Sequence, residues 1–228
     1  MKQKIGILSL GCPRNLVDAE ALAGRLNFKD YSIVEELTQA QVVIVNTCAF
    51  IQEAKRESID VILDLIELKK QGKLKKIIVY GCLVQRYKNL VKDLPEVDAF
   101  VGTLGLTSEA KRFALTPKHY AYLKICEGCV NQCSYCIIPK IKGALKSLDE
   151  SSIIRKVKCF SQEKISELNI IGQDITGFGI DVSGKSQLTG LLRKIISQSP
   201  GIGWIRLLYL NPQRITQQLL KLVAVSPR

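Results

Sequence analysis

Apolar and polar positions alternate along the 228-residue chain in two rhythms, and each rhythm predicts a kind of element. Ile5–Leu10, Val42–Val45, Ile77–Tyr80 and Ala99–Val101 are short apolar runs of the kind buried on both faces of a parallel sheet. Between them, Leu16–Leu26, Phe50–Lys70 and Val84–Leu94 place apolar residues three and four apart, which suits helices packed on that sheet. Residues 1–116 therefore read as an open α/β domain. Residues 107–119, with Thr116-Pro117, read as a linker. Beyond it the order repeats: strand at Tyr120–Ile125, helix at Asp149–Phe160, strand at Leu168–Ile171, helix at Gln187–Gln198, strand at Trp204–Tyr209 and helix at Ile215–Val225. Residues 117–228 thus supply three βα units of a barrel that needs more, and the chain stops at Arg228 directly after the third helix. A fragment is the expectation.

Candidate chemistry enters with the cysteines. Residues 129–136 read Cys129-Val-Asn-Gln-Cys133-Ser-Tyr-Cys136, with Glu127, Gly128, Asn131 and Gln132 making the segment polar and turn-forming. Four thiolates would close a zinc site or a complete cluster, whereas three supply a 4Fe-4S cluster that leaves one iron open. A zinc loop completed by Cys126, or a disulfide pair, is the alternative. A second set is dispersed: Cys12, Cys48 and Cys82 each follow a predicted strand, as Leu10-Gly11-Cys12, Asn46-Thr47-Cys48 and Gly81-Cys82. Turns after parallel strands emerge at one sheet edge, so these thiols are expected to converge on a second three-thiolate site. Against this stands the frequency of cysteine as a small buried residue. Cys126 is expected as a buried strand-end residue, Cys159 as helix core, and His119 in a structural hydrogen bond. Gln173 and Asp174 follow a strand at the presumed ligand face and are candidates for cofactor contact.

Composition narrows the setting. Met1-Lys-Gln-Lys and the apolar run after it are too short for a signal peptide, and no stretch approaches a membrane span. Eight cysteines without a secretion signal point to a reducing, cytoplasmic compartment. The net charge of +12 concentrates locally at Lys69–Lys76 and Lys140–Lys146. A ribosomal RNA contact and a solvated helix end are both open readings of those runs.

The C-x3-C-x2-C spacing, with Tyr135 directly before the last cysteine, resembles the radical S-adenosylmethionine (SAM) superfamily. That resemblance implies that Cys129, Cys133 and Cys136 hold three irons, that SAM chelates the fourth, and that Tyr135 borders the adenine. With both cysteine sets, nearly all of the chain resembles the methylthiotransferases. Ser9-Leu-Gly-Cys-Pro-Arg-Asn-Leu-Val-Asp18, Tyr120–Lys124, Gly172-Gln-Asp174 and Trp204–Leu210 resemble the RimO type, which modifies an aspartate β-carbon of a small-subunit ribosomal protein. The sister MiaB type modifies an adenosine in tRNA, and a non-catalytic iron-sulfur or zinc-binding remnant is a third reading. The resemblance implies two 4Fe-4S clusters, SAM as cofactor, a ribosomal protein as substrate, and an electron donor such as flavodoxin or ferredoxin. Two departures stand out: Lys142-Gly143 and Lys146-Ser-Leu-Asp149 occupy places where the family usually has Arg-Gly and Arg-Ser-Arg-Pro. Lysine cannot reproduce a bidentate arginine clamp, so a changed SAM affinity is expected. The family also continues through further barrel strands and an RNA-binding-like domain.

Overall fold

The computed structural model describes residues 2–26, 28–105 and 112–227. They divide into two compact units, the first running to Gly105 and including Phe113, the second beginning at Ala114. Residues 107–111 of the expected linker lie outside the described residues.

In the first unit the order is β1 (Gln3–Ser9), α1 (Pro13–Gly24), β2 (Tyr31–Val34), β3 (Val42–Thr47), α2 (Gln52–Lys70), β4 (Lys76–Gly81), α3 (Cys82–Arg86), α4 (Leu90–Asp93) and β5 (Ala99–Val101). The strands form one parallel sheet in the order β2-β1-β3-β4-β5. All six residues of β3 are buried, which explains its unbroken Val-Val-Ile-Val run. The edge strand β2 was not expected, because its four residues are only half-buried and carry no strong apolar run. The helix expected over Val84–Leu94 is instead two short pieces. Arg86 Nη1 donates to the Ala49 carbonyl at 2.6 Å, and Lys55 Nζ lies 4.3 Å from the Tyr87 ring centroid. These tertiary ties hold Tyr87 at φ −121°, ψ 77°, outside the helical range.

The second unit contains β6 (Tyr120–Lys124), β7 (Cys126–Glu127), α5 (Ile138–Lys142), β8 (Lys146–Ser147), α6 (Glu150–Gln162), β9 (Glu167–Ile171), α7 (Ile180–Ser183), α8 (Leu188–Gln198), β10 (Trp204–Leu207) and α9 (Gln217–Val225). A parallel sheet β10-β9-β6 is accompanied by the antiparallel pair β7-β8. Ala121, Leu123, Leu168 and Ile170 on one sheet face pack with Ile153, Val157 and Phe160 of α6 and Leu188, Leu191, Leu192 and Ile195 of α8. Cys159 stands one residue off the α6 stripe and is exposed, so the expectation of a core cysteine is corrected. Asp149 caps α6 through Ser152 N at 2.8 Å, and Thr216 caps α9 through Leu219 N at 3.1 Å. The backbone carbonyl of His119 accepts from Ser166 N and Glu167 N at 2.9 and 3.0 Å, and its ring meets the Tyr120 ring edge-on at 5.0 Å between centroids. Among the described residues β10 pairs only with β9, and beside it an apolar groove of about 330 Å³ is lined by Ile205, Leu207, Ile215, Leu219 and Val223.

One ion pair ties residues beyond the sheet to the first unit. Arg112 Nε and Nη2 donate to the two Glu20 oxygens at 2.8 and 3.2 Å, with the Glu20 side chain 2% exposed, and Phe113 N donates to the Glu20 carbonyl. Breaking a buried pair strands the remaining charge, which costs about 3–5 kcal/mol. Arg112→Met should therefore lower the stability of the first unit by about 3 kcal/mol, read as faster amide exchange across α1.

Candidate functional site

The dispersed cysteines are gathered by register. Ser9 pairs with Asn46 across β1-β3 and Thr47 pairs with Gly81 across β3-β4, so Cys48 and Cys82 leave the sheet side by side. Cys12 is the N-cap of α1 in the neighbouring turn. At Gly11, φ is +83° and a side chain would lie 2.5 Å from Cys48 Cβ, which shows how closely the first turn meets Cys48. Asn15, 1% exposed, joins all three turns: its Nδ2 donates to the carbonyls of Leu10 and Thr47 at 2.9 and 3.0 Å, and Cys82 Sγ lies 3.9 Å from its Oδ1. Asn46 Nδ2 answers by donating to the Asn15 carbonyl at 2.6 Å. Ser58 holds Cys48 from the other side, its hydroxyl accepting from Cys48 N at 3.0 Å and donating to Cys48 O at 2.9 Å.

The thiols differ in acidity. Burial pushes Cys12 up, but Arg14, whose Nε donates to Sγ at 3.4 Å, and the backbone N–H groups of Asn15 and Arg14 more than reverse this. Its thiol ends below the ordinary cysteine value. Burial raises Cys48. All eight cysteines are free. No group of three His, Cys, Asp or Glu side chains among the described residues is arranged to hold a single metal ion.

The second cysteine set lies on the loop between β7 and α5. Gly128 opens that loop at φ +68°, where any Cβ would collide with the Ala144 carbonyl. Cys129 N donates to the Gly143 carbonyl at 3.3 Å, and Cys136 N to the Cys133 carbonyl at 3.0 Å. Cys133 is exposed, Cys129 and Cys136 are partly so, and Tyr135 is 89% exposed. Cys126 is 1% exposed and burial pushes its thiol up to about 12, which suits packing and not ligation.

Both ends of this loop are held by a buried ion group that the sequence reading missed. Glu127 Oε2 receives Lys124 Nζ at 2.5 Å and Oε1 receives Lys142 Nζ at 3.1 Å, with all three side chains 9% exposed or less. Burial alone would raise the Glu127 carboxyl, but the two lysines reverse this and hold it below the ordinary glutamate value. Gln173 Nε2 reaches Glu127 Oε1 at 3.5 Å, while Gln173 Oε1 is buried with no hydrogen-bond partner. Asp174 is 4% exposed and its Oδ2 accepts from Asn131 Nδ2 at 2.8 Å and Arg214 Nη1 at 3.1 Å. The basic runs are partly neutralised: Lys69 pairs with Asp98 at 2.6 Å, Lys70 with Glu96 at 3.5 Å, and Lys142 is the buried ion just described.

Two outcomes follow from these contacts. Asn15→Ala leaves buried carbonyls unpaired and should destabilise the first unit by about 2 kcal/mol, with faster labelling of Cys48 and Cys82 by a thiol reagent in the apo protein. A depressed Glu127 contributes stability that is complete above the unfolded glutamate pKa of about 4.3 and is lost as pH falls through the lower folded value. Acid unfolding of the second unit should accordingly begin below about pH 4, and Glu127→Gln should cost about 3 kcal/mol at pH 7 by stranding buried lysines.

Comparison with known proteins sets these features in a family. Residues 4–102 match the uncharacterized protein family UPF0004. The chain is 40% identical over its full length to the ribosomal protein uS12 methylthiotransferase RimO of Citrifermentans bemidjiense, and 41% identical over 96% of its length to that of Clostridioides difficile. It spans 57% and 55% of those relatives, little more than half their length. Among solved structures, the radical SAM methyltransferase TsrM from Kitasatospora setae, with cobalamin and a [4Fe-4S] cluster bound, superposes with a TM-score of 0.63 at 11% identity, over 98% of this chain and 59% of that one. The same enzyme with tryptophan substrate and a SAM analogue gives 0.64 at 10% identity. At such identities the likeness concerns the fold alone, a parallel-sheet domain followed by βα units. By sequence, the chain is similar along nearly its whole length to the RimO methylthiotransferases.

Proposed function

We propose that the protein is a radical SAM methylthiotransferase acting on an aspartate β-carbon of a small-subunit ribosomal protein. The observation that carries this reading is the pair of three-cysteine sets, each at the carboxyl edge of a parallel sheet, in a chain that aligns end to end with proteins named for that reaction. The names of those relatives also favour a protein substrate over tRNA.

In this reading Cys129, Cys133 and Cys136 would hold one 4Fe-4S cluster with one iron left for SAM, and Cys12, Cys48 and Cys82 would hold a second. The fit is supported by free thiols in both sets and by the buried, unpartnered Gln173 oxygen beside the loop. Bound cluster and SAM supply one-electron cleavage of a sulfonium to a carbon radical, chemistry that no side chain here can perform. The chain's own residues bind and orient. Tyr135 offers an exposed ring for the adenine, and Gln173, whose buried carboxamide oxygen has no hydrogen-bond partner, would supply an acceptor beside the loop. Asn15 and Ser58 keep the dispersed thiols at one edge, and Arg14 favours the Cys12 thiolate needed for ligation. Electrons would come from a carrier such as flavodoxin or ferredoxin. The remaining exposed lysines leave room for an rRNA contact. No helix among the described residues is long and apolar enough to cross a membrane.

Anaerobic reconstitution should bind about eight iron and eight sulfide ions per chain, and changing Cys129, Cys133 and Cys136 to Ala should leave about half. One zinc and no iron would overturn the proposal. Replacing Cys12, Cys48 and Cys82 in the full-length protein should preserve SAM cleavage to 5'-deoxyadenosine while abolishing the methylthio mass increment on the ribosomal protein.

A further inference from the structure

The span between the first two cysteines of the loop is pinned from outside the loop. Asn131 sits midway between Cys129 and Cys133, and its backbone N–H donates to Cys129 Sγ at 3.4 Å. Its carboxamide is held by two residues remote in sequence: Nδ2 donates to Asp174 Oδ2 at 2.8 Å and Oδ1 accepts from Arg214 Nη1 at 2.5 Å. Arg214 Nη1 also reaches Asp174 Oδ2 at 3.1 Å, which closes a ring of three side chains. The other Asp174 oxygen is fixed by Thr176 N at 3.0 Å, by the Thr176 hydroxyl and by Asn211 N at 3.3 Å. Asp174 is thus occupied on both oxygens, and Arg214 comes from the turn Pro212–Arg214 that follows β10. Loop, β9 turn and β10 turn meet in one amide.

We infer that the Asn131–Asp174–Arg214 ring is a positioning device that fixes the N–H···S hydrogen bond to Cys129 and through it tunes the cluster held by the loop. Arg214 and Asp174 act through Asn131, and neither is assigned a contact with the reacting atoms. Hydrogen bonds to ligating sulfurs raise cluster reduction potentials, because they stabilise the extra negative charge of the reduced state. A carboxamide gripped at both its oxygen and its nitrogen cannot rotate, so the backbone N–H between the cysteines keeps its aim. Arg214 matters because its Nη1 donates to both Asn131 Oδ1 and Asp174 Oδ2, so that without it the carboxamide is held at Nδ2 alone and can turn about that bond. This inference rests on the proposal that the loop holds an iron-sulfur cluster.

The test uses the full-length protein with Cys12, Cys48 and Cys82 changed to Ala, so that only the loop cluster remains. Iron analysis of that parent comes first: absence of iron would sink the cluster reading itself. With about four irons bound, Arg214→Met and Asn131→Ala should retain the same iron content and shift the midpoint potential, followed by electron paramagnetic resonance, to more negative values. Arg214→Lys should recover part of that shift. In the apo protein, amide exchange at residues 129–136 should accelerate at least threefold in Arg214→Met while α6 and α8 exchange as in the parent. An unchanged potential and unchanged exchange in fully loaded, folded variants would overturn the positioning role and leave the cluster assignment standing.

Discussion

In a parallel pair the hydrogen-bond register decides which strand ends coincide, and both sheets here depend on that constraint. In the first unit the pairings Ser9 with Asn46 and Thr47 with Gly81 bring three turns to one edge. In the second, Lys124 pairs with Ile171 and Leu207 with Ile170, so the cysteine loop, Asp174 and Arg214 leave their strands at the same edge. Residues more than eighty positions apart can then form one hydrogen-bonded group without any local signal between them. Shifting β3 by one residue would exchange its faces and break the bonds that Asn46 and Thr47 donate to the Asn15 and Tyr80 carbonyls.

Turns stripped of water must satisfy their polar groups internally, and the two units do so in different currencies. The first uses neutral amides: Asn15 and Asn46 grip backbone carbonyls across three turns. The second uses ions, with Glu127 between Lys124 and Lys142. Loop length accounts for the difference. Closing a long loop costs chain entropy that the two-residue pair β7-β8 can offset only in part. Charge-assisted hydrogen bonds are roughly twice as strong as neutral ones, so the ion group can hold such a loop shut where amides would not.

The parts of this arrangement that were legible in sequence are those that repeat or that carry unusual chemistry. Short apolar runs revealed β1, β3 and β4, and the six cysteines at strand ends and in the loop marked both candidate sites. What stayed hidden was decided by tertiary partners. Asn15 looks like an ordinary helix residue until the Leu10 and Thr47 carbonyls arrive beside it. Strand β2 has no strong apolar signature because it lies at an edge, and the helix after Cys82 breaks because Arg86 is drawn to the Ala49 carbonyl. Cys159 matched a helical pattern, yet helical phase put it beside the stripe of Ile153, Val157 and Phe160 and not within it.

Lys142 shows how the structure alters the meaning of a departure that sequence alone could only flag. Read as a substitute for an arginine, it suggested a weakened clamp on a cofactor carboxylate. In the fold its ammonium is 4% exposed and directed at Glu127 Oε1, while Lys124 occupies Oε2. Two point charges divide one carboxylate between them. A guanidinium is a planar fork that takes both oxygens of a carboxylate at once, so an arginine at this position would compete with Lys124 for Glu127. The compact ammonium leaves Lys124 its oxygen and keeps the strand end before the loop joined to the helix after it. The lysine is therefore matched to the partner that the fold gives it, and its contribution is to the shape of the loop that carries Cys129, Cys133 and Cys136.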